Sequence, residues 1–410
     1  MKTVYDSVHG FIRLSDLEYK WLKTAWFSRL QQIHQTGPAY RVFPGARHTR
    51  YEHSLGVMHL ASKLFDHLFS NQLHLKIEKK EVPFYKEILR MAALSHDLGH
   101  LPFSHTAEEF IFSPDCHEAW TLKILNDPFV IEFLKPLIEE GNSLGLDAHG
   151  LIKKVACGQE KFSRYENKVS FNPIERILSE IITGDFFGAD RMDYLMRDAY
   201  FTGLNYGFFD HEHLIMSLLI EKDQHNDEPI ICIDFRGIQA CESLLTARYF
   251  MYQRLYLNPK VLAYTFMLKY LVKHTIDNTF ALDSVQNYIK ISDIEVLSMI
   301  KNGEFKDPFL SQLQNGLKED KELYEVLPLT NEELLALENS IDLKDSIFFL
   351  SKIKNPTFLT PSVLVKNTFN QVKLFKDCAK MKIPAFSENF VLFERERLSK
   401  VLEAIQGAKV

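Results

Sequence analysis

The sequence predicts a mainly α-helical protein with a few short strands. Apolar residues recur at spacings of three and four, as in YEHSLGVMHLASKLFDHLF and FYKEILRMAALSHDL, which is the pattern of helices with one buried face. Strand-like patterns occur in three short stretches, EPIICIDF (228–235), FIRLS and NFVLFE (389–394). With 410 residues and 46% hydrophobic content, the chain can fill one large core or two to three smaller ones.

The pattern changes near Thr275 and suggests two regions. Upstream, the clearest strand is followed by a helical pattern from about Ile238 to Leu257. Downstream, short charged helices are interrupted by one glycine and four prolines, Gly303, Pro308, Pro328, Pro356 and Pro361. We therefore predict a main domain over residues 1–275 and a smaller α+β accessory or oligomerisation region over 276–410.

Composition limits the partners and the location of the chain. Its 48 Lys and Arg against 54 Asp and Glu give a net charge of −6, which argues against a general affinity for nucleic acid or anionic membranes. Five cysteines, an odd number with no CxxC spacing, are typical of reduced thiols in a cytosol. Because the sequence has neither a signal-peptide core nor an apolar run near the ~18 residues of a membrane span, we expect a cytoplasmic protein.

Histidine is concentrated in one window of the sequence. Nine of the sixteen histidines lie within residues 48–117, and three of them fall in ALSHDLGHLPFSH at the end of an apolar helix. Such groups are costly to bury without partners. Any single histidine is more often a helix cap or a surface group than a ligand, whereas an HD pair followed by two further histidines favours a chemical site.

Four residues could together hold a metal ion. His53, the adjacent pair His96 and Asp97, and Asp190 each lie on or beside a predicted helix, so bundled helices could bring them to one point. Adjacent residues on a helix diverge by about 100°, which lets both members of the HD pair reach a metal beside the helix end. Two imidazoles and two carboxylates suit Mn, Fe, Zn, Ni or Mg with open positions for water or a phosphate oxygen. Gly56, one turn after His53, would allow close approach of a neighbouring helix.

This spacing resembles the metal-binding signature of the HD-domain phosphohydrolases. The segments DSVHGFIRLS, VFPGARHTRYEHSLGV, SHDLGHLPFSH, ADRMDYLMRDAYFTG and LLTARYFMYQRLYLNPK are similar to the deoxynucleoside triphosphate (dNTP) triphosphohydrolases of that group, strongly over about residues 4–120 and 175–262. The resemblance implies a helical HD-domain core, a homo-oligomer such as a dimer or tetramer, and hydrolysis of a dNTP to deoxynucleoside and inorganic triphosphate. It also implies that His53, His96, Asp97 and Asp190 hold the metal.

Attack at the α-phosphorus needs a water, an acid for the leaving 5′-oxygen and cations around the triphosphate. His105 and Glu108 lie three residues apart and share a helix face if a helix begins near Thr106, so the carboxylate can orient the imidazole. The resemblance makes this the proton-transfer pair, with His100 and His117 contacting phosphate or assisting. Which of them protonates the 5′-oxygen is left open.

The resemblance also assigns residues to the substrate phosphates and base. Arg50 would flank the α-phosphate and Arg191 would reach a β- or γ-oxygen. Arg248, Tyr252 and Tyr256 recur every four residues and so share one helix face. Such a stripe alone is typical of core packing, but it matches the family's phosphate- and base-facing helix, to which Lys260 would add a cation.

The same resemblance assigns three further residues to binding of the sugar. Asp198 would accept a hydrogen bond from the 3′-hydroxyl, Tyr194 would crowd the 2′ position, and Gln35 would lie near the sugar edge.

The chain departs from its relatives at four positions. Gly188 stands where many relatives have Asp, and Thr36 where a mammalian member has a leucine against the base. Lys23 and Gln31 replace residues with which that member reads an allosteric guanine nucleotide. The base preference and the action of a possible allosteric nucleotide therefore remain open.

Two alternative functions remain. An HD metal site also serves phosphomonoesterases and phosphodiesterases acting on other nucleotides, although Arg191 and Arg248 favour a triphosphate. A non-catalytic nucleotide sensor is the second alternative, against which the intact pair His105 and Glu108 argues. The sequence contains neither G-x-x-x-x-G-K-[ST] nor G-x-G-x-x-G, so the usual mononucleotide and dinucleotide folds are not indicated.

Overall fold

A computed structural model describes residues 2–70, 75–106, 108, 117–166, 169–184, 186–223, 227–338, 347–350, 363–367, 371–381 and 389–407. Within these ranges the chain is mainly helical, and the predicted fold class is confirmed. The helices of the first 202 residues are α1 (Asp16–Trp21), α2 (Ala25–Ser28), α3 (Arg50–Phe69), α4 (Val82–Ser95), α5 (His117–Leu125), α6 (Pro128–Leu144), α7 (Ala148–Cys157), α8 (Gln159–Tyr165), α9 (Pro173–Thr183) and α10 (Ala189–Thr202). The later helices are α11 (His211–Met216), α12 (Ile238–Met251), α13 (Pro259–Thr279), α14 (Val285–Tyr288), α15 (Asp293–Asn302), α16 (Pro308–Glu319), α17 (Asn331–Glu338), α18 (Phe375–Cys378) and α19 (Leu398–Gly407).

Three small sheets accompany the helices. Their strands are β1 (Lys2–Asp6), β2 (Gly10–Leu14), β3 (Leu218–Lys222), β4 (Pro229–Asp234), β5 (Tyr324–Leu329), β6 (Ile347–Leu350), β7 (Leu364–Lys366), β8 (Val372–Leu374) and β9 (Asn389–Glu394). β1 and β2 form an antiparallel hairpin, and the other sheets have the orders β3-β4-β7-β8 and β5-β9-β6. β4 and β7 are parallel, and the remaining pairs are antiparallel. All three sequence-predicted strand regions, in β2, β4 and β9, are strands.

Helices α3, α4 and α10 form the part of the core that carries the site. α3 begins at Arg50 because the Glu52 carboxylate accepts the backbone N–H of Thr49 at 3.0 Å, which satisfies one donor of the first turn. α10 follows Gly188 and ends at Gly203, whose φ of 74° is the left-handed conformation that glycine adopts without a steric cost. α3 is buried along most of its length and packs against both other helices, so side chains on its α10-facing side meet residues more than 130 positions away in sequence.

The predicted C-terminal region contributes to the same core as the main domain. Tyr288, Val296 and Leu313, together with Tyr324 of β5, belong to the large apolar cluster formed by residues from the first 275 positions. A separate small cluster lies among β5, β9, α17 and α19 and contains Leu329, Val391 and Val401. The division at residue 275 remains a prediction.

Two further observations concern the sequence-based expectations. Cys157, Cys232, Cys241 and Cys378 are free thiols, and Cys116 lies outside the described residues. Among the helices of the described ranges, none combines the length and the apolarity needed to cross a bilayer.

Candidate active site

Three helices bring the four predicted metal ligands to one point. His53 lies one turn into α3, His96 and Asp97 follow directly after α4, and Asp190 lies in the first turn of α10. His53 Nε2 is 3.0 Å from Asp190 Oδ1 and 3.7 Å from Asp97 Oδ2. His96 Nε2 is 3.3 Å from Asp97 Oδ1 and 3.8 Å from Asp190 Oδ1. We refer to these four residues as the candidate metal site.

The orientation of each imidazole fits a metal ligand. His96 Nδ1 lies 2.8 Å from the carbonyl oxygen of Ala93, so Nδ1–H donates there and Nε2 presents a lone pair to the centre of the site. That Nε2 atom is buried and makes no hydrogen bond within the described part of the chain. His53 Nδ1 lies 2.8 Å from Oδ2 of Asp193, which likewise directs Nε2 inward.

The spacing of the donor atoms also fits one cation. Ligands about 2.0–2.2 Å from a single metal are about 3.0–3.6 Å from each other at right or tetrahedral angles. The donor separations of 3.0 and 3.3 Å fall within that range, and those of 3.7 and 3.8 Å lie just above it. Burial would raise the pKa of Asp97, but Arg50 and His96 hold it well below its usual range, so this ligand is ionised at neutral pH.

A buried ion network behind His53 was missed by the sequence reasoning. Asp193 accepts from Arg197, with Nε to Oδ2 at 2.8 Å, and Arg197 Nη1 donates to Asp6 at 2.8 Å. His9 Nε2 lies 2.6 Å from Asp193 Oδ1. Burial alone would lower the pKa of His53, but its hydrogen bonds with Asp190 and Asp193 raise it to about 10. A metal must therefore displace a proton from His53 at neutral pH.

Gly56 allows this network to form. A Cβ atom at this position would lie 1.8 Å from Asp193 Oδ1 and 2.5 Å from Arg197 Nη2, so α10 could not approach α3 as closely. The sequence expectation that Gly56 permits a close helix contact agrees with this geometry.

We expect Gly56→Ala to weaken metal binding by about 10–100-fold, the usual cost of disturbing a residue that orients a ligand. Alanine favours a helix over glycine by about 1 kcal/mol, so propensity alone predicts a gain in stability. Competition between the protein and a chelator for Mn²⁺ measures the effect. Gly316→Ala is the control, since the atoms nearest to its Cβ belong to the side chains of Leu323 and Met267 and not to the candidate metal site. Equal Mn²⁺ affinity for wild type and Gly56→Ala would contradict this account.

Next to the candidate metal site, three imidazoles surround one carboxylate. Nδ1 of His100, His105 and His117 lie 2.5, 2.9 and 3.2 Å from oxygens of Glu108. We refer to these four residues as the imidazole–carboxylate cluster. The predicted proximity of His105 and Glu108 is thus present in the structure.

The environment separates the pKa values of two histidines in the cluster. Burial lowers the pKa of His100 to about 4, so this imidazole is neutral at pH 7. Burial acts in the same direction on His117, but the Glu108 carboxylate outweighs it and raises the pKa to about 8. Burial would raise the pKa of Glu108, yet the three imidazoles hold it well below its usual range. Of the two buried imidazoles, His117 is therefore the one that carries a proton near neutral pH.

A strained turn holds the cluster next to the metal ligands. Phe103 and Ser104 both have positive φ, 60° and 55°, which non-glycine residues rarely adopt. Asp293 accepts the N–H of Phe103 at 2.7 Å, and Ser104 Oγ accepts from Arg50 Nε at 2.9 Å. Asp293 belongs to the predicted accessory region, and no local pattern indicates its contact with this turn.

A cavity of about 1230 Å³ opens beside the candidate metal site. This volume exceeds the roughly 300–1,000 Å³ of typical small-molecule sites, so it can accept a nucleoside triphosphate. Its lining contains most of the residues predicted from the sequence: Gln35, Arg50, His96, Asp97, His100, His105, His117, Asp190, Arg191, Tyr194, Asp198, Tyr252 and Tyr256.

The cationic residues of the lining are held in place by neighbouring groups. Arg50 Nη1 donates to Asp97 Oδ2 at 2.7 Å, which leaves the guanidinium buried beside a predicted ligand. Arg191 Nη1 donates to the carbonyl oxygens of Thr183 and Gly184, at 3.0 and 2.7 Å, where α9 ends. Both cations therefore lie at the edge of the cavity with limited freedom.

Asp198 is buried and bonded on both oxygens. Oδ1 lies 2.7 Å from His48 Nε2, and Oδ2 accepts from the Tyr256 hydroxyl at 2.5 Å. Tyr194 packs edge-on against Tyr256, with ring centroids 6.1 Å apart. His48 lies inside the histidine-rich window, but its pairing with a residue 150 positions away could not be read from the sequence.

Not every predicted residue faces the cavity. His53 and Glu108 lie behind residues that do. Arg248 is also buried, near Tyr194. Burial raises the pKa of Tyr194, and the Arg248 guanidinium lowers it less strongly. Lys260 is exposed, pairs with Glu322 at 2.5 Å and lies outside the cavity lining. The assigned roles of all these residues remain predictions.

Two of the four departures from the relatives have a local explanation. A Cβ on Gly188 would lie 2.5 Å from the carbonyl oxygen of Ile182, so an aspartate cannot fit there without a backbone shift. Lys23 lies over the ring of Tyr19, with Nζ 4.3 Å from the centroid. Thr36 lines the cavity.

Comparison with known proteins agrees with the site geometry. Residues 50–142 match the model of the HD domain, and residues 209–324 match the model of the HD associated region. An uncharacterised protein of Methanocaldococcus jannaschii is 33% identical over 74% of this chain and 56% of its own length. The deoxynucleoside triphosphate triphosphohydrolase SAMHD1 of Homo sapiens is 34% identical over 51% of this chain and 34% of its own length.

A solved structure covers nearly the whole chain. The crystal structure of a hypothetical protein from Aquifex aeolicus has a TM-score of 0.76 and 27% identity, and the match covers 98% of this chain and 99% of that one. By contrast, this chain spans about half the length of the curated relatives it matches. The resemblance inferred from the sequence motifs is confirmed.

Proposed function

Because the chain belongs to the HD-domain proteins and carries an HD-associated region, we propose that it hydrolyses dNTPs to deoxynucleoside and inorganic triphosphate. The observation that carries this proposal is the convergence of His53, His96 and Asp190, with Asp97 next to both imidazoles, beside a cavity lined by arginines, histidines and tyrosines. The similarity to the human deoxynucleoside triphosphate triphosphohydrolase supports the choice of substrate. A metal-dependent phosphohydrolase is the broader class to which the proposed reaction belongs.

A divalent cation held by the candidate metal site would supply Lewis-acid polarisation of the phosphoryl oxygens and activation of water. Arg50 and Arg191 lie where they can bind phosphate oxygens, and their contacts with Asp97 and the end of α9 fix their positions before substrate arrives. The aromatic side chains Tyr194, Tyr252 and Tyr256 line the part of the cavity that would take the nucleoside.

The imidazole–carboxylate cluster would transfer the proton that the leaving 5′-oxygen requires. Glu108 orients His105, which is the solvent-facing member, and it keeps His117 protonated near neutral pH. A group with a pKa near the working pH is suited to proton transfer to the leaving 5′-oxygen. His117 is therefore our choice of acid, and His100 is neutral and can only accept a proton or donate a hydrogen bond.

The expected result of the direct test is release of inorganic triphosphate from at least one dNTP. Each of the four dNTPs is incubated with the purified chain and Mn²⁺ or Mg²⁺, and the products are separated by anion exchange. A mixed dNTP pool in a parallel reaction reveals activation by a second nucleotide. Release of orthophosphate or pyrophosphate alone would refute the proposed reaction, and faster turnover of a monophosphate would favour a phosphomonoesterase. Tight dNTP binding without turnover across several metals would favour a sensor.

A further inference from the structure

The imidazole–carboxylate cluster has the composition of a metal site of its own. One donor atom from each of His100, His105, Glu108 and His117 lies within 4.8 Å of all the others. The set offers three nitrogens and one carboxylate oxygen, whereas the candidate metal site next to it offers two of each. All three imidazoles turn the same atom, Nδ1, toward the carboxylate.

The far sides of the two buried imidazoles face carboxylates. His100 Nε2 lies 3.3 Å from Asp97 Oδ1, and His117 Nε2 lies 3.6 Å from Glu118 Oε1. A carboxylate behind an imidazole favours the tautomer with the proton on the nitrogen that faces it, and it is the usual companion of a metal-binding histidine. In that tautomer, Nδ1 of His100 presents a lone pair to Glu108, whereas the hydrogen bond between His117 Nδ1 and Glu108 Oε2, at 3.2 Å, must be replaced when a metal binds.

A lone pair against a carboxylate oxygen is repulsive unless a positive charge lies between them. His100 Nδ1 and Glu108 Oε1 are 2.5 Å apart, yet neither of these buried atoms makes a hydrogen bond of acceptable geometry in the described part of the chain. His100 is 1% exposed, so water cannot easily satisfy it. A cation bound by the cluster would satisfy both atoms once their separation of 2.5 Å widens to the roughly 2.8–3.6 Å that two donors of one metal keep.

We propose that His100, His105, Glu108 and His117 form a second cation site, which prefers a four-coordinate borderline metal such as Zn²⁺ or Co²⁺. Three imidazoles and one carboxylate are a donor set for these ions, whereas Mg²⁺ prefers oxygen ligands and retains water. The cation can enter through the cavity, because the His105 side chain is 70% exposed and three of the four residues line that cavity.

Occupation of the second site is expected to inhibit the proposed reaction. The cation would bind the Nδ1 atoms of His105 and His117 and the Glu108 carboxylate that orients them, so these groups could no longer take part in proton transfer. Zn²⁺ added beyond the amount that fills the candidate metal site would then act as an inhibitor. This consequence rests on the proposed function, but the existence of the site does not, since metal binding is measured without substrate.

The test uses Co²⁺ alone, added to the full chain after treatment with a chelator. Equilibrium dialysis gives the number of ions bound, and visible absorption reports the intense band that four-coordinate Co²⁺ shows and six-coordinate Co²⁺ lacks. We expect two equivalents and the band in the wild type. His105→Ala should bind one equivalent without the band, and Asp190→Asn should lose the other equivalent and keep the band.

Two further variants separate binding from folding. His213→Ala removes an exposed histidine outside the cavity lining and should leave both equivalents in place. Glu118→Gln removes the carboxylate behind His117 and should weaken the second equivalent by about 10–100-fold. A single equivalent in the wild type, or an unchanged band in His105→Ala, would overturn the proposal. A wild type that binds two equivalents of Co²⁺ but hydrolyses no dNTP would instead count against the proposed function.

Discussion

Replacing His96 with glutamine and Asp97 with asparagine is expected to lower kcat/KM for dNTP hydrolysis by about 1,000-fold or more. The reason is that these residues supply two of the four donors of the candidate metal site, and asparagine also lacks the charge that balances Arg50 at 2.7 Å. Charge stabilisation by a bound cation contributes several kcal/mol to a transition state, and every 1.36 kcal/mol is a tenfold change in rate. Inorganic triphosphate release at saturating Mn²⁺ measures the loss.

A matched variant makes the same two changes of residue type on the surface. His274→Gln with Asp277→Asn lies on the exposed side of α13, where Asp277 pairs with Lys273. We expect wild-type activity and Mn²⁺ stoichiometry for this control. Circular dichroism of both double variants establishes that they are folded. If the His96→Gln, Asp97→Asn protein is folded, binds no Mn²⁺ and keeps more than a tenth of the activity, the metal has no part in the reaction.

The parts of the site that the sequence predicts are those in which rare residue types lie a few positions apart. An HD pair after an apolar helix and a histidine three residues before a glutamate are visible in one stretch of sequence, and family resemblance supplies the distant partners His53 and Asp190. The helical class was equally accessible, because buried helix faces leave a regular apolar spacing.

The buried supports of the site could not be predicted, because they pair across long sequence separations. Asp193 and Arg197 lie one and two turns after Asp190 on α10, a spacing that indicates one helix face but not what that face meets. Their partner Asp6 is more than 180 residues away, at the end of β1. No composition or periodicity signal encodes such a pair.

The accessory region gives a second example. Its predicted boundary near residue 275 lies where helices become short and proline-rich, which is a property of local sequence. Asp293, however, accepts hydrogen bonds from the backbone N–H groups of Phe103 and His34, at 2.7 and 3.0 Å, and so supports the strained turn before His105. A local change in composition therefore does not separate the residues that hold the site from those that do not.

The second large effect is expected from Arg197→Met, which should lower the free energy of unfolding by about 3–5 kcal/mol. The Arg197 side chain is fully buried and donates to both Asp6 and Asp193. Methionine keeps most of the volume but removes the guanidinium from Asp6 and leaves Asp193 with the imidazoles of His9 and His53 as its partners. Removing one partner of a buried ion pair is far more costly than replacing the whole pair, since the remaining charge loses its compensation. Urea denaturation in the presence of a chelator measures this change without a contribution from bound metal.

Two comparisons isolate the cause of this loss. Arg236→Met breaks the exposed pair with Asp234, and solvent screening should make its effect on the urea midpoint negligible. Arg197→Lys keeps the charge, but its three N–H donors cannot replace the four hydrogen bonds of the planar guanidinium, so its stability should fall between those of the wild type and Arg197→Met. Because Asp193 also orients His53, Mn²⁺ affinity should decrease in the same order as stability. A midpoint for Arg197→Met no lower than that for Arg236→Met would show that the buried network does not stabilise the fold.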